Sequence, residues 1–367
     1  MSKWLPWSSW TFVVPLISLV ALALTWGEHI GPALGALEAV LLTGAVVAAV
    51  HHAEVVAARV GEPFGSLVLA AAVTVIEVAL IVELMASGGN EAATLARDTA
   101  FAALMITTNG IAGLSLLLGS RRYGVTLFNA EGSGAALATL TTLATLSLVM
   151  PAFTVSEKGN EFSPSQLAFA AVASLLVYLL FVFTQTVRHR AFFLPVAQKG
   201  QTSLFDEEDV HADPPSNAAT LTSLGLLLVA LTAVVGLAEQ ESPIVERAVS
   251  AAGFPQSFVG VVIATLVLLP ETLAAVRAAR RGRIQTSLNL AYGSAMASIG
   301  LTIPAIALAS VWLKGPLVLG LGATQLVLLA LTVVITMLTV VPGRATRLQG
   351  EVHLVLLAAY IFLAVNP

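Results

Sequence analysis

Eleven runs of about 20 predominantly apolar residues succeed one another along the chain, roughly at 11–26, 31–50, 64–86, 99–119, 133–153, 166–187, 219–238, 256–277, 286–312, 316–340 and 352–366. Each run is long enough for a helix to cross the hydrocarbon core of a bilayer. Inside lipid every backbone polar group must find its partner within the segment, so the runs predict helices. The breaks between them are polar or rich in Gly and Pro, as in "SGGNEAA", "SEKGNEFSPS" and "EQESP". Only 10% of the residues are charged and mean hydropathy is +0.91, against roughly 25% charged in a soluble domain. The expected fold class is therefore an all-α polytopic membrane protein with about 11 transmembrane helices. With no cysteine in the chain, disulfides, Cys-ligated metals and thiol catalysis are excluded.

Positive charges orient the spans. Thirteen of the seventeen Lys and Arg residues fall on the side that holds the N-terminus. That predicts a multi-pass membrane protein with the N-terminus cytoplasmic and the C-terminus outside; the bacterial cytoplasmic (inner) membrane is what the resemblance given below implies. The opening "MSKWLPWSSWTFVVPLISLVALALTWG" also fits a signal peptide, but the orientation works better if it stays as a span.

The longest break, 188–218, divides the chain after the leading span into five spans and five. Five is odd, so the two halves enter the membrane from opposite sides, the arithmetic of an inverted-topology repeat. The expected organisation is an N-terminal leading helix over 1–29 and a first five-helix repeat over 30–187. A cytoplasmic loop with an acidic segment at 206–209 spans 188–218, and a second repeat covers 219–367. The spans after the second member of each half also echo each other, with "AGLS" against "IGLT" and Thr107 over Ser294.

An ionisable group at mid-bilayer costs about 2.5–3.5 kcal/mol on insertion scales and usually marks an ion or proton path. Glu77 is the fourteenth residue counted from Phe64, and Glu271 the fourteenth counted from Phe258. Both are expected near mid-bilayer in symmetry-related spans. Burial favours the neutral form of a carboxyl group, and a bound cation favours the ionised form. Proton and cation then compete for the same two groups, and alternating access turns that competition into antiport. Glu77 and Glu271 are thus the expected ion- and proton-binding residues and the expected metal ligands. Calcium takes several oxygen ligands. Thr74, one turn before Glu77, and Thr107, Thr108, Asn109, Ser294 and Ser298 on the following spans are candidates to supply them. Pro270 removes one backbone bond and frees the carbonyl of Leu266, which either faces the ion or marks only a kink. Hydroxyls and small residues are also ordinary helix-packing material in membranes.

Glu38 lies about a third of the way into the second span, and Glu83 near the outer end of the third. Glu38, Glu83, His52 and Glu54 are candidates for gating or proton access. The "HHAE" run (His51, His52, Glu54) is otherwise an interfacial polar cluster. The "DEED" run at 206–209 is either a solvated acidic loop or a cation-sensing segment. The "RAARRGR" run satisfies the positive-inside pattern and suits anionic lipid. No HExxH and no Gly-rich phosphate loop occurs, so zinc proteolysis and ATP coupling have no support.

The stretches "EPFGSLVLAAAVTVIEVALIV", "LARDTAFAALMITTNGIAGLSLLLG" and "NLAYGSAMASIGLTIPA" resemble the calcium/proton antiporters of the cation/calcium exchanger superfamily, in particular the sodium–calcium/proton (ChaA) type. The resemblance covers about residues 30–366. It implies a leading helix plus two inverted five-helix repeats, with one essential glutamate in each, at Glu77 and Glu271. Exchanger repeats usually carry Gly-Asn shortly before that glutamate; here the stretches read "AVTVIE" and "VLLPE". Selectivity among Ca²⁺, Na⁺ and K⁺ therefore stays open. The expected function is secondary active export of Ca²⁺, with Na⁺ or K⁺ as further substrates, in exchange for H⁺. The expected partners are small inorganic cations, protons and the lipid bilayer, with no cofactor and no nucleic acid, and a homo-oligomer is compatible with the sequence. A monovalent Na⁺(K⁺)/H⁺ antiporter with little Ca²⁺ transport and a passive cation channel are the alternatives. A channel wants a ring of ligands around an open axis, which two buried glutamates do not supply. An intramembrane enzyme lacks a nucleophile–base constellation.

Overall fold

The computed structural model describes residues 10–27, 31–60, 72, 74–82, 85, 93–198, 215–312 and 315–367, without the side chains of Pro32, Ser242 and Glu246. In chain order the helices are α1 (Trp10–Thr25), α2 (Pro32–Val60), α3 (residues 74–82), α4 (Leu95–Met105), α5 (Ala112–Tyr123), α6 (Ala130–Ala144) and α7 (Pro164–Phe183). They continue as α8 (Asn217–Ala251), α9 (Phe258–Val267), α10 (Leu269–Arg280), α11 (Ile284–Ala309), α12 (Ala323–Val340) and α13 (Arg347–Val365). A π-helical turn, Ile106–Ile111, joins α4 to α5 as one continuous rod.

Among the described residues, eight helices or helix runs are long and apolar enough to cross a membrane, and a ninth span is the bent pair α9–α10. The leading span is a shorter apolar helix of 16 residues, α1. The third expected span lies largely outside the described residues, and the part that is described is helical. The protein is thus an all-α polytopic membrane protein, with a local departure. Val125–Leu127 (β1) pairs antiparallel with Arg344–Thr346 (β2). Each strand has only three residues, too short for any periodicity to announce it.

The helix starts follow from local chemistry. Asn129 accepts hydrogen bonds from the Glu131 and Gly132 amides and caps α6. Ser163 caps α7 with Pro164 as its first residue and Gln166 completing a capping box. Ser216 caps α8 through the Ala219 amide.

The chain forms two compact units, one from Met1–Ala92 with His211–Val259 and one from Ala93–Val210 with Gly260–Pro367. In the first, α1, α2 and α8 pack on one another. Glycine sits at each crossing: a Cβ at Gly44 would lie 2.9 Å from Val14, at Gly236 2.4 Å from Leu22, and at Gly35 2.6 Å from Ile244. Close backbone approach of this kind is how helices associate in lipid, where apolar burial gives no net drive. Gly35 opposite Ile244, and Arg59 donating to Asn217 at 2.6 Å, fix α2 and α8 as an antiparallel pair.

In the second unit, α11 is the central helix, buried over most of its length and packed on α4, α5, α6, α7 and α10. The Gly113–Gly350 crossing brings α5 against α13: a Cβ at Gly350 would meet the Leu117 amide nitrogen at 2.6 Å. By contrast α7 turns Phe169, Leu176 and Leu180 outward, the apolar exposure a lipid-facing helix requires. At the start of α4, Asp98 is buried and paired with Arg97 at 2.8 Å, and it accepts from Thr94 at 2.7 Å.

Candidate functional site

Glu271 occupies the first turn of α10, directly after a 54° break between α9 and α10. The sequence explains the break. Pro270 has no N–H to return to Leu266, so the first helix ends, and Pro270 restarts the second at a position where proline is well tolerated. Thr272 donates to the Leu268 carbonyl at 2.9 Å as the new helix begins. Discontinuous helices of this type bring helix termini into the interior of transporters. The carboxylate is 9% exposed and stands at the N-terminal, electropositive end of a helix.

α10 packs against α5, α11 and the π-helical turn Ile106–Ile111. That turn holds Thr107, Thr108 and Asn109, all buried. The two threonines are occupied locally: Thr107 Oγ1 donates to the Ala103 carbonyl at 2.7 Å and Thr108 Oγ1 to Leu104 at 2.5 Å. Such back-bonding accompanies the widened turn, and π-turns recur at functional sites. Asn109 is committed as well. Its Nδ2 donates to Thr332 Oγ1 at 2.9 Å, and its Oδ1 accepts from His353 Nδ1 at 2.9 Å. His353 Nε2 lies 3.2 Å from the Thr339 hydroxyl. The direction of the amide assigns the histidine proton to Nδ1. On α11, Ser298 is buried and Ser294 half-buried.

In the first unit, Glu77 is 3% exposed and Thr74, one turn earlier on α3, is 9% exposed. Glu38 is fully buried on α2. His52 is buried, with Nε2 donating to the Thr11 carbonyl at 2.9 Å, whereas Glu54 is exposed. Among the described residues no group of three or more His, Asp or Glu is placed to hold a metal, and the "HHAE" run forms none. Glu83 and the "DEED" run lie outside the described residues.

Two buried participants escape sequence reasoning. Glu241 falls in the "EQESP" stretch, whose charges and proline suggest an interhelical break; α8 instead continues through it with Pro243 inside, and Glu241 is 2% exposed. His353 opens the last apolar run, and a histidine there is the available signal for the Asn109 network.

The sodium/calcium exchanger protein family matches this chain over residues 30–187 and 222–366. The chain belongs to that family. Among relatives of the exchanger, the protein y4hA of Sinorhizobium fredii, described as a putative ionic transporter, is 45% identical over 366 residues, spanning 98% of this chain and 96% of that one. The sodium-potassium/proton antiporter ChaA of Escherichia coli is 33% identical over 354 residues, spanning 96% of this chain and 94% of that one. The crystal structure of the H⁺/Ca²⁺ exchanger CAX superposes on the exchanger with a TM-score of 0.72 at 16% identity, covering 96% of this chain and 86% of that one. That likeness establishes the fold.

Proposed function

We propose that this exchanger is a secondary active antiporter that moves a small cation against protons by alternating access, with Glu77 and Glu271 taking cation and proton in competition. The observation that carries the reading is Glu271: a buried acid in the first turn after a proline-induced break, inside a bent membrane span. An acid in that position is held in place by the fold beside the electropositive start of a helix. Family membership supports exchange rather than conduction. Thr74, the Leu266 carbonyl, Ser294 and Ser298 are the neutral oxygens available to complete cation coordination. Thr107 Oγ1 donates its proton to the turn and keeps its oxygen lone pairs for a cation, whereas the Asn109 amide is already shared with Thr332 and His353.

The transported species are Ca²⁺, with Na⁺ or K⁺ as further substrates, and H⁺. A monovalent cation/proton exchange with little Ca²⁺ transport is the second reading; the 33% identical Escherichia coli relative, a sodium-potassium/proton antiporter by name, favours it. The two matched segments, 30–187 and 222–366, support an organisation in inverted repeats after a leading helix. Localisation in the bacterial inner membrane is supported by the bacterial relatives, and a cytoplasmic N-terminus by the lysine and arginine distribution.

Inverted vesicles carrying an imposed pH gradient test the reading. Addition of Ca²⁺, Na⁺ or K⁺ in parallel dissipates the gradient for each transported cation and orders their affinities. Cation flux that tracks the membrane potential without proton movement replaces the antiporter with a channel.

A further inference from the structure

Glu38 and Glu241 lie on the antiparallel pair α2 and α8, whose register is set by Gly35 against Ile244 and by Arg59 against Asn217. The same register places position 38 opposite position 241. Glu241 Oε1 points back at Gly35, lying 3.7 Å from its Cβ position, one turn from Glu38. Glu38 is 0% exposed and Glu241 2% exposed. Among the described residues, neither oxygen of Glu38, nor Oε1 of Glu241, has a hydrogen-bond partner. A fully buried carboxylate with no donor is one of the most costly groups a fold can carry, so the ionised pair needs a neutralising proton or cation.

The surroundings limit what that is. α1 carries no ionisable residue from Trp10 to Thr25. On α8 the neighbouring described charges are Glu239, which is exposed, and Arg247, which is exposed and donates to the Pro243 carbonyl. On α2 the remaining charged and titratable groups, His51, His52, Glu54 and Arg59, sit three or more turns away toward the other end of the helix. No cation among the described residues therefore compensates the pair. Calcium wants about six to eight oxygen ligands. The adjacent amide, Gln240, is already closed on Thr25, accepting from its hydroxyl at 3.1 Å and donating to its carbonyl at 2.6 Å. A proton needs only the two carboxyl groups.

We propose that Glu38 and Glu241 form a proton-binding carboxyl pair, a second proton site in addition to Glu77 and Glu271. A proton taken from water converts one carboxylate to a carboxylic acid that donates to the other, and it returns to water when the pair is hydrated again. The role of this pair in exchange rests on the antiporter reading; its protonation does not.

Infrared difference spectroscopy on the purified full-length protein in lipid tests the pair directly. At neutral pH the wild type shows a carboxylic acid C=O band that is lost in the double variant E38Q/E241Q and displaced in E38D and E241D; the Asp variants keep the measurement open if the Gln variants fail to accumulate. A band unchanged in all three overturns the proposal. Loss, on adding Na⁺, K⁺ or Ca²⁺ at constant pH, of the band component that E38Q/E241Q removes also overturns it, by making the pair a cation site. Vesicle exchange by the wild type is measured alongside, so that absence of exchange with a normal band sinks the antiporter reading alone. Where exchange is present, its pH midpoint moves by about one unit or more in E38Q or E241Q.

Discussion

Asn109 Oδ1 and His353 Nδ1 are 2.9 Å apart, both fully buried, and their bond ties the π-helical turn between α4 and α5 to α13. The turn that carries Thr107 and Thr108 is therefore held from the side by a histidine distant in sequence. Asn109→Ala leaves His353 Nδ1 without its partner and removes the amide donor to Thr332 Oγ1. Removing one side of a buried hydrogen bond costs about 1–3 kcal/mol, so the variant melts earlier in detergent. Its order of preference among Ca²⁺, Na⁺ and K⁺ stays that of the wild type. A changed order, read in vesicles, would make Asn109 a direct ligand.

Gly113 and Gly350 let α5 and α13 touch. A Cβ on Gly350 meets the Leu117 amide nitrogen at 2.6 Å and the Gly113 carbonyl oxygen at 2.8 Å. Backbone cannot rotate away, so Gly350→Ala separates the helices and costs about 1–3 kcal/mol. Gly134 on α6 has nothing within 4 Å of its Cβ position. Gly134→Ala is neutral or stabilising by up to about 1 kcal/mol. Thermal unfolding of the two variants, measured together, checks both signs.

Pro270 separates two helices that would otherwise continue. Proline at the start of a helix costs little, so Pro270→Ala alters the melting temperature only slightly. It restores an amide that can bond Leu266 and removes the cause of the 54° break. Exchange falls by about tenfold or more, equivalent to at least about 1.4 kcal/mol at the transport step, while the amount inserted in the membrane is unchanged. Full activity in this variant would separate the break from the mechanism.

Glu77→Gln and Glu271→Gln keep the size of each side chain and remove its charge. Each abolishes cation-dependent dissipation of the pH gradient, and each protein still inserts. Gradient assays in vesicles, with immunodetection of the protein, check both. Wild-type exchange in either variant removes that carboxylate from the mechanism.

The repeated apolar runs determined the fold class, nine of the expected spans and the apolar character of the leading helix, because a bilayer demands about 20 residues of one character per crossing. Composition alone excluded disulfides, and an acid next to a proline in a span marked Glu271. What the sequence could not contain was the pairing of residues far apart along the chain. Asn109 reads as a free oxygen donor until His353 and Thr332 close on it. Glu241 reads as part of a loop until α8 runs on through Pro243 and buries it opposite Glu38. The short β1–β2 pairing and the glycine crossings are of the same kind. Hydropathy is a property of one segment, whereas the partner of a buried polar group is chosen by whichever helix packs against it, and that choice belongs to the tertiary structure.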